Sequence, residues 1–365
     1  MNIAYLSSYN IPSKVANSIN VINMCQAFYE LGNQITLITP IYPNTLKEDI
    51  YSFYGIDKEI EIIRINRSFS KLGLIFFLFG VLIKLNRLKP DRVVGRCVYS
   101  CYLATLMGYK VVFDSHRPEW EGGKIYFSFF KKMMASKNLV KLALNSKALK
   151  QIYEKNNFMN QFSNKMIVAN NGSRIFPLDQ KIQLVGNNLV KIGYVGHLYK
   201  GRGVDIIIEC ANRLKDIDFI LVGGEKEDID FWKNYSKSKN VYFLGFINPQ
   251  LIYKYRNSFD ILLAPYQNEV YTPAGFNTVS FMNPIKILEY MSSNKPIIAS
   301  SLPAIEEILE HEFNGLLVKS DNVDEWCREI KKIISNNELS QKISKQAYQD
   351  FLDNYTWQSR VKKFL

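Results

Sequence analysis

The stretch Asn283-Pro284-Ile285-Lys286-Ile287-Leu288-Glu289-Tyr290-Met291, followed by Ser292-Ser293-Asn294-Lys295-Pro296-Ile297-Ile298-Ala299-Ser300, reads as a short helix running into a buried strand. Asn283 is a good N-cap, and Pro284 suits the first helical position, where its missing N–H costs nothing. Ile285, Leu288 and Met291 recur at helical spacing and face a core. Lys286 and Glu289, three apart, occupy neighbouring positions on one helix face. A helix N-terminus offers free N–H groups and a partial positive charge, which suit a phosphate. Lys286 adds charge in the first turn, and Glu289, one turn deeper, can accept two hydrogen bonds from a diol. An ordinary α/β helix with an exposed Lys–Glu pair has the same spacing.

Around this stretch the second half of the chain alternates strand and helix. Strand candidates are 191–195, 219–222, 241–244, 261–264, 296–300 and 315–318. The first half alternates in the same way, with strands predicted at 2–8, 34–40, 61–65, 92–94, 110–114, 142–144 and 166–168, and with Ser18 as the N-cap expected for the helix between the first two. Strand–helix alternation of this length predicts a doubly wound parallel sheet in each half. The stretch 170–188 is rich in turn formers and is where a linker is expected. Two such domains face to face would leave a cleft able to enclose a ligand.

The first turn of the second domain is Gly196-His197-Leu198-Tyr199-Lys200-Gly201-Arg202-Gly203. Its glycines allow tight backbone, and Arg202 offers a planar fork for phosphate oxygens. The spacing is not Gly-x-Gly-x-x-Gly, which counts against NAD, and no Gly-Lys-Ser/Thr phosphate loop occurs. In the first half, His116 ends Asp114-Ser115-His116, just past a strand's carboxyl end, where ligands of such sheets lie. A lone histidine there is also a common structural residue.

Together these segments resemble the family-four nucleotide-sugar glycosyltransferases, with their Pro-x-Lys-x-x-Glu-Tyr-Met … Pro-Ile-Ile-Ala-Ser signature and Gly-Arg-Leu-x-x-x-Lys-Gly turn. The resemblance implies the GT-B fold, two Rossmann-like doubly wound parallel-sheet domains facing across a cleft. It implies an acceptor-binding domain over 1–175, a nucleotide-sugar-binding domain over 188–345, and a last helix over 346–365 returning to the first domain. Glu289 would bind the ribose hydroxyls, and the helix start would face the diphosphate. His197 stands at the arginine position of the turn and Arg202 at the lysine position, so positive charge is kept at one and becomes pH-dependent at the other. His116 would contact the donor sugar. Many family members carry a further glutamate eight positions before Glu289, where this chain has Phe281.

The function implied is retaining transfer of a sugar from a UDP-, GDP- or similar nucleotide sugar to a glycan or lipid-linked acceptor, as in bacterial-type surface polysaccharide assembly. Gly196, His197, Arg202, Lys286 and Glu289 would bind the donor, and His116, Arg202 and Lys286 would serve catalysis. No cofactor and no metal is expected. Asp216-Ile217-Asp218 and Asp228-Ile229-Asp230 invite a metal reading, but a divalent site also needs a substrate phosphate placed there. Two other classes stay open: a nucleotide-sugar epimerase of the same fold, and a donor-binding protein without catalysis. The loop 268–282 is expected to shape the sugar pocket.

Composition bounds the rest. The chain has 365 residues, 47% hydrophobic and 22% charged, enough for two cores and without the signs of disorder. Five scattered cysteines form no metal-ligand pattern and fit a reducing cytoplasm. No signal peptide is read, and the longest apolar run, 72–83, is too short to span a bilayer. The net charge of +12 is lopsided: residues 1–180 hold 23 Lys/Arg against 12 Asp/Glu, and residues 181–365 hold 23 against 22. A basic half suggests an anionic partner. No nucleic-acid motif accompanies it, so an anionic membrane surface is expected, with the protein cytoplasmic or peripheral on the inner face of the membrane. The aromatic and lysine-rich stretch 124–137 is one candidate for that contact; a core-packing helix with a solvated lysine edge is the other reading.

Overall fold

A computed structural model describes residues 1–13, 15–270 and 277–365. The chain divides into two compact units, Met1–Asn170 with Trp357–Leu365, and Asn171–Thr356.

Among the described residues the first unit is built on seven strands: β1 Asn2–Leu6, β2 Gln34–Ile41, β3 Glu61–Asn66, β4 Arg92–Gly95, β5 Val111–Ser115, β6 Leu139–Leu144 and β7 Met166–Val168. They form one parallel sheet in the order β3-β2-β1-β4-β5-β6-β7. Its helices are α1 Ala16–Glu30, α2 Ile50–Tyr54, α3 Lys71–Leu88, α4 Val98–Leu106, α5 Lys124–Ala135 and α6 Lys147–Lys155. The central strands are buried on both faces, which is why they read as unbroken apolar runs. Helices α3, α4 and α5 pack in a row, α3 on β3, α4 on β4 and β5, α5 on β6.

Among its described residues the second unit has six strands: β8 Val190–Val195, β9 Ile217–Val222, β10 Val241–Gly245, β11 Ile261–Ala264, β12 Ile297–Ser300 and β13 Leu316–Val318. Their order is β10-β9-β8-β11-β12-β13, again all parallel. Its helices are α7 Val204–Arg213, α8 Lys226–Tyr235, α9 Ile252–Ser258, α10 Ile285–Met291, α11 Pro303–Glu306, α12 Val323–Ser335 and α13 Asn337–Asn354. A last helix, α14 Trp357–Lys362, belongs to the first unit, where it packs on α1 and sets Phe364 edge-on to Phe28 at 6.3 Å. In each sheet strand order reverses beside the first strand of the unit, between β1 and β4 and between β8 and β11. Ligands of open α/β sheets bind at the carboxyl ends of the strands at such a point.

The predicted strands all form, with ends moved by a few residues. Two predicted helix caps do not. Ser18 does not start α1, which begins at Ala16; its hydroxyl donates to the Asn10 carbonyl at 2.9 Å instead. Asn283 does not cap α10. Pro284 takes the flanking position, because the Asn283 side-chain oxygen accepts from the Asn171 N–H at 2.7 Å. The aromatics of α5 pack inward: Phe130, Met133 and Met134 are buried, Tyr126 and Phe129 meet Tyr99 edge-on, and Phe127 meets Phe130, Phe158 and Trp120. Of this helix's large apolar side chains only Ile125 is exposed. The core-packing reading of 124–137 therefore describes it.

Candidate functional site

The site of the second unit forms at its strand-order reversal, from the loop after β8, the residues after β11 and the start of α10. Tyr194 is buried on β8, and its hydroxyl donates to the His197 carbonyl at 2.6 Å, folding the turn back over the strand end. Gly196 follows with φ +149°. A Cβ there would lie 2.9 Å from both Cε and Nζ of Lys286, so the missing side chain is the space that Lys286 occupies. Gly203, at φ +77°, is similarly fixed: a Cβ would fall 1.8 Å from the Pro265 carbonyl oxygen, and the turn would separate from the end of β11.

Two cations meet here on tyrosine rings. Lys286 is buried, with Nζ 3.5 Å from the centroid of Tyr194 and 5.2 Å from that of Tyr266. Arg202 is half-buried, its guanidinium 4.6 Å from the Tyr199 centroid and 5.3 Å from that of Tyr266, and it donates to the Tyr199 hydroxyl. The ring faces supply favourable electrostatics without neutralising either charge. Among the described residues no carboxylate lies within 4 Å of either cation, and Arg202 Nε is buried without a partner. Burial, and then the charge of Arg202, hold the Lys286 ammonium well below its usual pKa. An anion bound between them would reverse that shift.

The expected residues fall as follows. Gly196, His197, Arg202 and Lys286 come together. Partial burial, followed by Arg202 and Lys286, pushes the His197 imidazole down, so the pH-dependent charge expected of the turn at this position is moved toward more acidic conditions. Glu289 does not pair with Lys286. It lies 3.5 Å from Arg256, a buried arginine of α9, and the two residues read as neighbours on one face diverge, Lys286 inward and Glu289 half-exposed. Phe281 is buried. In the loop 268–282, residues 271–276 lie outside the described residues; its flanks are joined by the Thr278 N–H donating to the Val270 carbonyl at 3.0 Å. Asp218 is enclosed by protein donors, with Lys191 Nζ at 2.5 Å and the Asn188 backbone and side-chain nitrogens at 2.9 and 3.0 Å.

His116 belongs to the first unit, at the carboxyl end of β5. Its Nε2 is 3.1 Å from Asp114 Oδ1 and 3.2 Å from Arg360 Nη2, leaving Nδ1 for a ligand. Arg360, from α14, binds Asp114 at 2.7 Å and donates to the Ala169 carbonyl at 3.1 Å. Burial and the nearby Arg96 push His116 down to about 4. Burial alone would raise the Asp114 carboxyl, but Arg360 and His116 hold it below the ordinary carboxylate range. Arg96, at the end of β4, is buried over Tyr9 and donates to Asn20 and Asn17 of α1. The sequence reading missed Tyr194, Tyr266, Arg96, Arg256 and Arg360. Each is a single residue whose neighbours are remote in sequence, so spacing carries no signal of it.

The fold has counterparts among known proteins. Residues 177–350 match the family model "Glycosyl transferases group 1". A glycosyltransferase of Methanocaldococcus jannaschii, otherwise uncharacterised, is 28% identical over 194 residues, 51% of this chain and 46% of its own. The N,N'-diacetylbacillosaminyl-diphospho-undecaprenol alpha-1,3-N-acetylgalactosaminyltransferase of Campylobacter jejuni is 28% identical over 153 residues, 41% of this chain and 37% of its own. The chain spans about half the length of the curated relatives it matches. Among solved structures, Anabaena HepE in complex with UDP superposes with a TM-score of 0.70 at 16% identity, covering 100% of this chain and 98% of its own. Residues 177–350 thus carry the match to the group 1 glycosyl transferases, in a chain whose fold is that of the GT-B glycosyltransferases.

Proposed function

We propose that the chain is a retaining glycosyltransferase that moves a sugar from a nucleoside diphosphate sugar to a glycan or lipid-linked acceptor in surface polysaccharide assembly. The observation that carries this is the pair Arg202 and Lys286, held on tyrosine rings at the end of β8 with no carboxylate of the described residues beside them. A diphosphate supplies the missing negative charge. The same cations then stabilise the charge that grows on the leaving phosphate, which takes the acceptor's proton. Glu289 receives the ribose hydroxyls, His197 stands as a neutral hydrogen-bonding group beside the phosphates, and His116 offers Nδ1 to the sugar. The group 1 match over 177–350 and the fold shared with HepE, solved in complex with UDP, support a nucleotide donor. The relative from Campylobacter jejuni, named for an undecaprenol-linked substrate, supports a lipid-linked acceptor. Catalysis without a metal agrees with Asp218 being enclosed by Lys191 and Asn188.

The test is incubation with a labelled nucleotide-sugar panel and lipid-linked acceptors. Labelled acceptor supports the reading; isomerised donor would make the chain an epimerase, and binding without turnover a donor-binding protein.

Two substitutions separate the halves of the donor site. Glu289→Ala is expected to weaken nucleoside diphosphate binding by about 1.5–3 kcal/mol, the range for hydrogen bonds to a charged group. It should weaken the plain nucleoside equally, since the ribose is common to both. Unchanged affinities in calorimetry would remove the ribose role. Lys286→Met is expected to leave nucleoside affinity intact and to weaken the diphosphate by a similar ~1.5–3 kcal/mol. It should also raise the melting temperature of the unliganded protein, because a buried charge without a carboxylate is replaced by an apolar chain of similar length. A lowered melting temperature with unchanged diphosphate affinity would make Lys286 a structural residue.

A further inference from the structure

Helix α3 is apolar on two opposite sides. Its inner side, Gly73, Phe77, Val81 and Leu85, is buried. Gly80 lets it approach β3, for a Cβ there would lie 2.9 Å from the Ile65 side chain. Its outer side carries Leu72, Ile75, Phe76 and Phe79, exposed by 65, 60, 69 and 62%. These positions follow the three-and-four spacing of a single helix stripe. Phe69, 76% exposed and stacked on Tyr42 at 4.8 Å, lengthens the stripe at its N-terminal end. Large contiguous apolar patches are uncommon on the surface of a free soluble protein and mark something that covers them.

The charges around the stripe indicate what covers it. Helix α3 contains Lys71, Lys84 and Arg87 and no Asp or Glu, with Arg64 and Arg67 before it and Lys89 after it. Continued along the helix, the stripe ends at Asn86 and Arg87, both exposed. An apolar stripe whose charged neighbours from 64 to 89 are all basic, on the half of the chain that carries 23 Lys/Arg against 12 Asp/Glu, matches the interface of an anionic bilayer, with acyl carbons below and phosphates at the rim. At 18 residues, with three cations, α3 does not qualify to cross a membrane, and no helix among the described residues does. It would lie in the interface plane with its inner side still on the sheet.

We propose that the outer side of α3, from Phe69 to Phe79, is a docking surface for an anionic phospholipid membrane. This stands apart from the chemistry of the second unit. Loss of vesicle binding would leave the donor reading intact, and a failed transfer assay would leave the docking surface intact.

The test is flotation of the whole protein with vesicles of phosphatidylcholine alone and of phosphatidylcholine mixed with phosphatidylglycerol, at low and high salt. Binding to the mixed vesicles at low salt, weakened by salt, is expected. Phe76→Ser with Phe79→Ser should reduce it by about tenfold or more, since two phenyl groups no longer leave water. Lys84→Gln with Arg87→Gln should reduce the preference for phosphatidylglycerol. Phe76, Phe79 and Arg87 are exposed and Lys84 is half-buried, none of them in the core, so circular dichroism and nucleoside diphosphate binding should be unchanged. A Phe76→Trp protein should show blue-shifted emission and quenching by brominated acyl chains. Vesicle binding that survives the serine pair, or leaves that tryptophan unquenched, would overturn the proposal. So would absence of binding to both vesicles. A dimer in sedimentation that the serine pair dissolves, without vesicle binding, would assign the stripe to a second copy instead.

Discussion

Arg360→Met is expected to destabilise the first unit by about 3–5 kcal/mol, the cost of removing one partner from a buried ion pair. Arg360 is 1% exposed and binds Asp114, whose side chain is fully buried, at 2.7 Å. The same guanidinium donates to the Ala169 carbonyl at 3.1 Å and lies 3.3 Å from Met24 Sδ, so one side chain ties α14 to β5, β7 and α1. Methionine keeps much of the apolar stem and loses every polar contact, leaving Asp114 desolvated with one oxygen already without a partner. The measurement is denaturant unfolding followed by circular dichroism at pH 7.5. A loss below about 1 kcal/mol would show that Arg96 or His116 replaces Arg360 at Asp114.

The same cluster sets a pH dependence whose sign can be worked out. His116 has a folded pKa of about 4, below the ordinary histidine value of 6.5, so between these values the unfolded chain binds more protons and stability falls as pH falls. The Asp114 carboxyl is depressed, so its contribution is complete above the ordinary carboxylate range and fades on further acidification. Without Arg360 the imidazole loses a repelling cation and gains a carboxylate with no other strong partner. The His116 pKa should then rise, and the cost of Arg360→Met should be smaller at pH 5.5 than at pH 7.5.

The strands were legible because a parallel sheet covered on both faces requires continuous apolar runs, and segments such as Val111–Ser115 or Ile217–Val222 have almost no other reading. Helix starts were less so. Ser18 and Asn283 are good caps in isolation, but each side chain is taken by a partner that sequence spacing does not reveal, the Asn10 carbonyl and the Asn171 N–H. Lys286 and Glu289 were visible as a pair; that one turns inward over Tyr194 and the other reaches Arg256 depends on elements up to 92 positions away. The run 72–83 was legible only as a length. When a helix is apolar all round, periodicity cannot say which side meets the sheet, so the outward stripe of α3 appears only in the fold.

Arg202→Ala is expected to lower the transfer rate by roughly 10²–10³, the scale for losing one preorganised electrostatic donor. The guanidinium is positioned before any ligand arrives: it stacks on Tyr199 and Tyr266, donates to the Tyr199 hydroxyl, and its backbone N–H donates to the Tyr199 carbonyl at 3.3 Å. Little reorganisation is then needed as charge moves onto the leaving phosphate, which is what makes such a group effective. Arg202→Lys should recover only part of the rate, because an ammonium keeps the charge but loses the planar fork and the ring stacking. Excess EDTA should leave turnover nearly unchanged, as should Asp216→Asn and the pair Asp228→Asn with Asp230→Asn. Asp218 is unsuitable for this comparison, since its carboxylate holds Lys191 and Asn188 and its loss would disturb β8 itself. Steady-state kinetics should place the Arg202→Ala loss in kcat as well as in kcat/KM, because the interaction strengthens as the bond to the phosphate breaks. A rise in KM alone would reduce Arg202 to a ground-state binding residue. Activity abolished by EDTA and restored by Mn²⁺ would move the stabilising charge from this arginine to a metal.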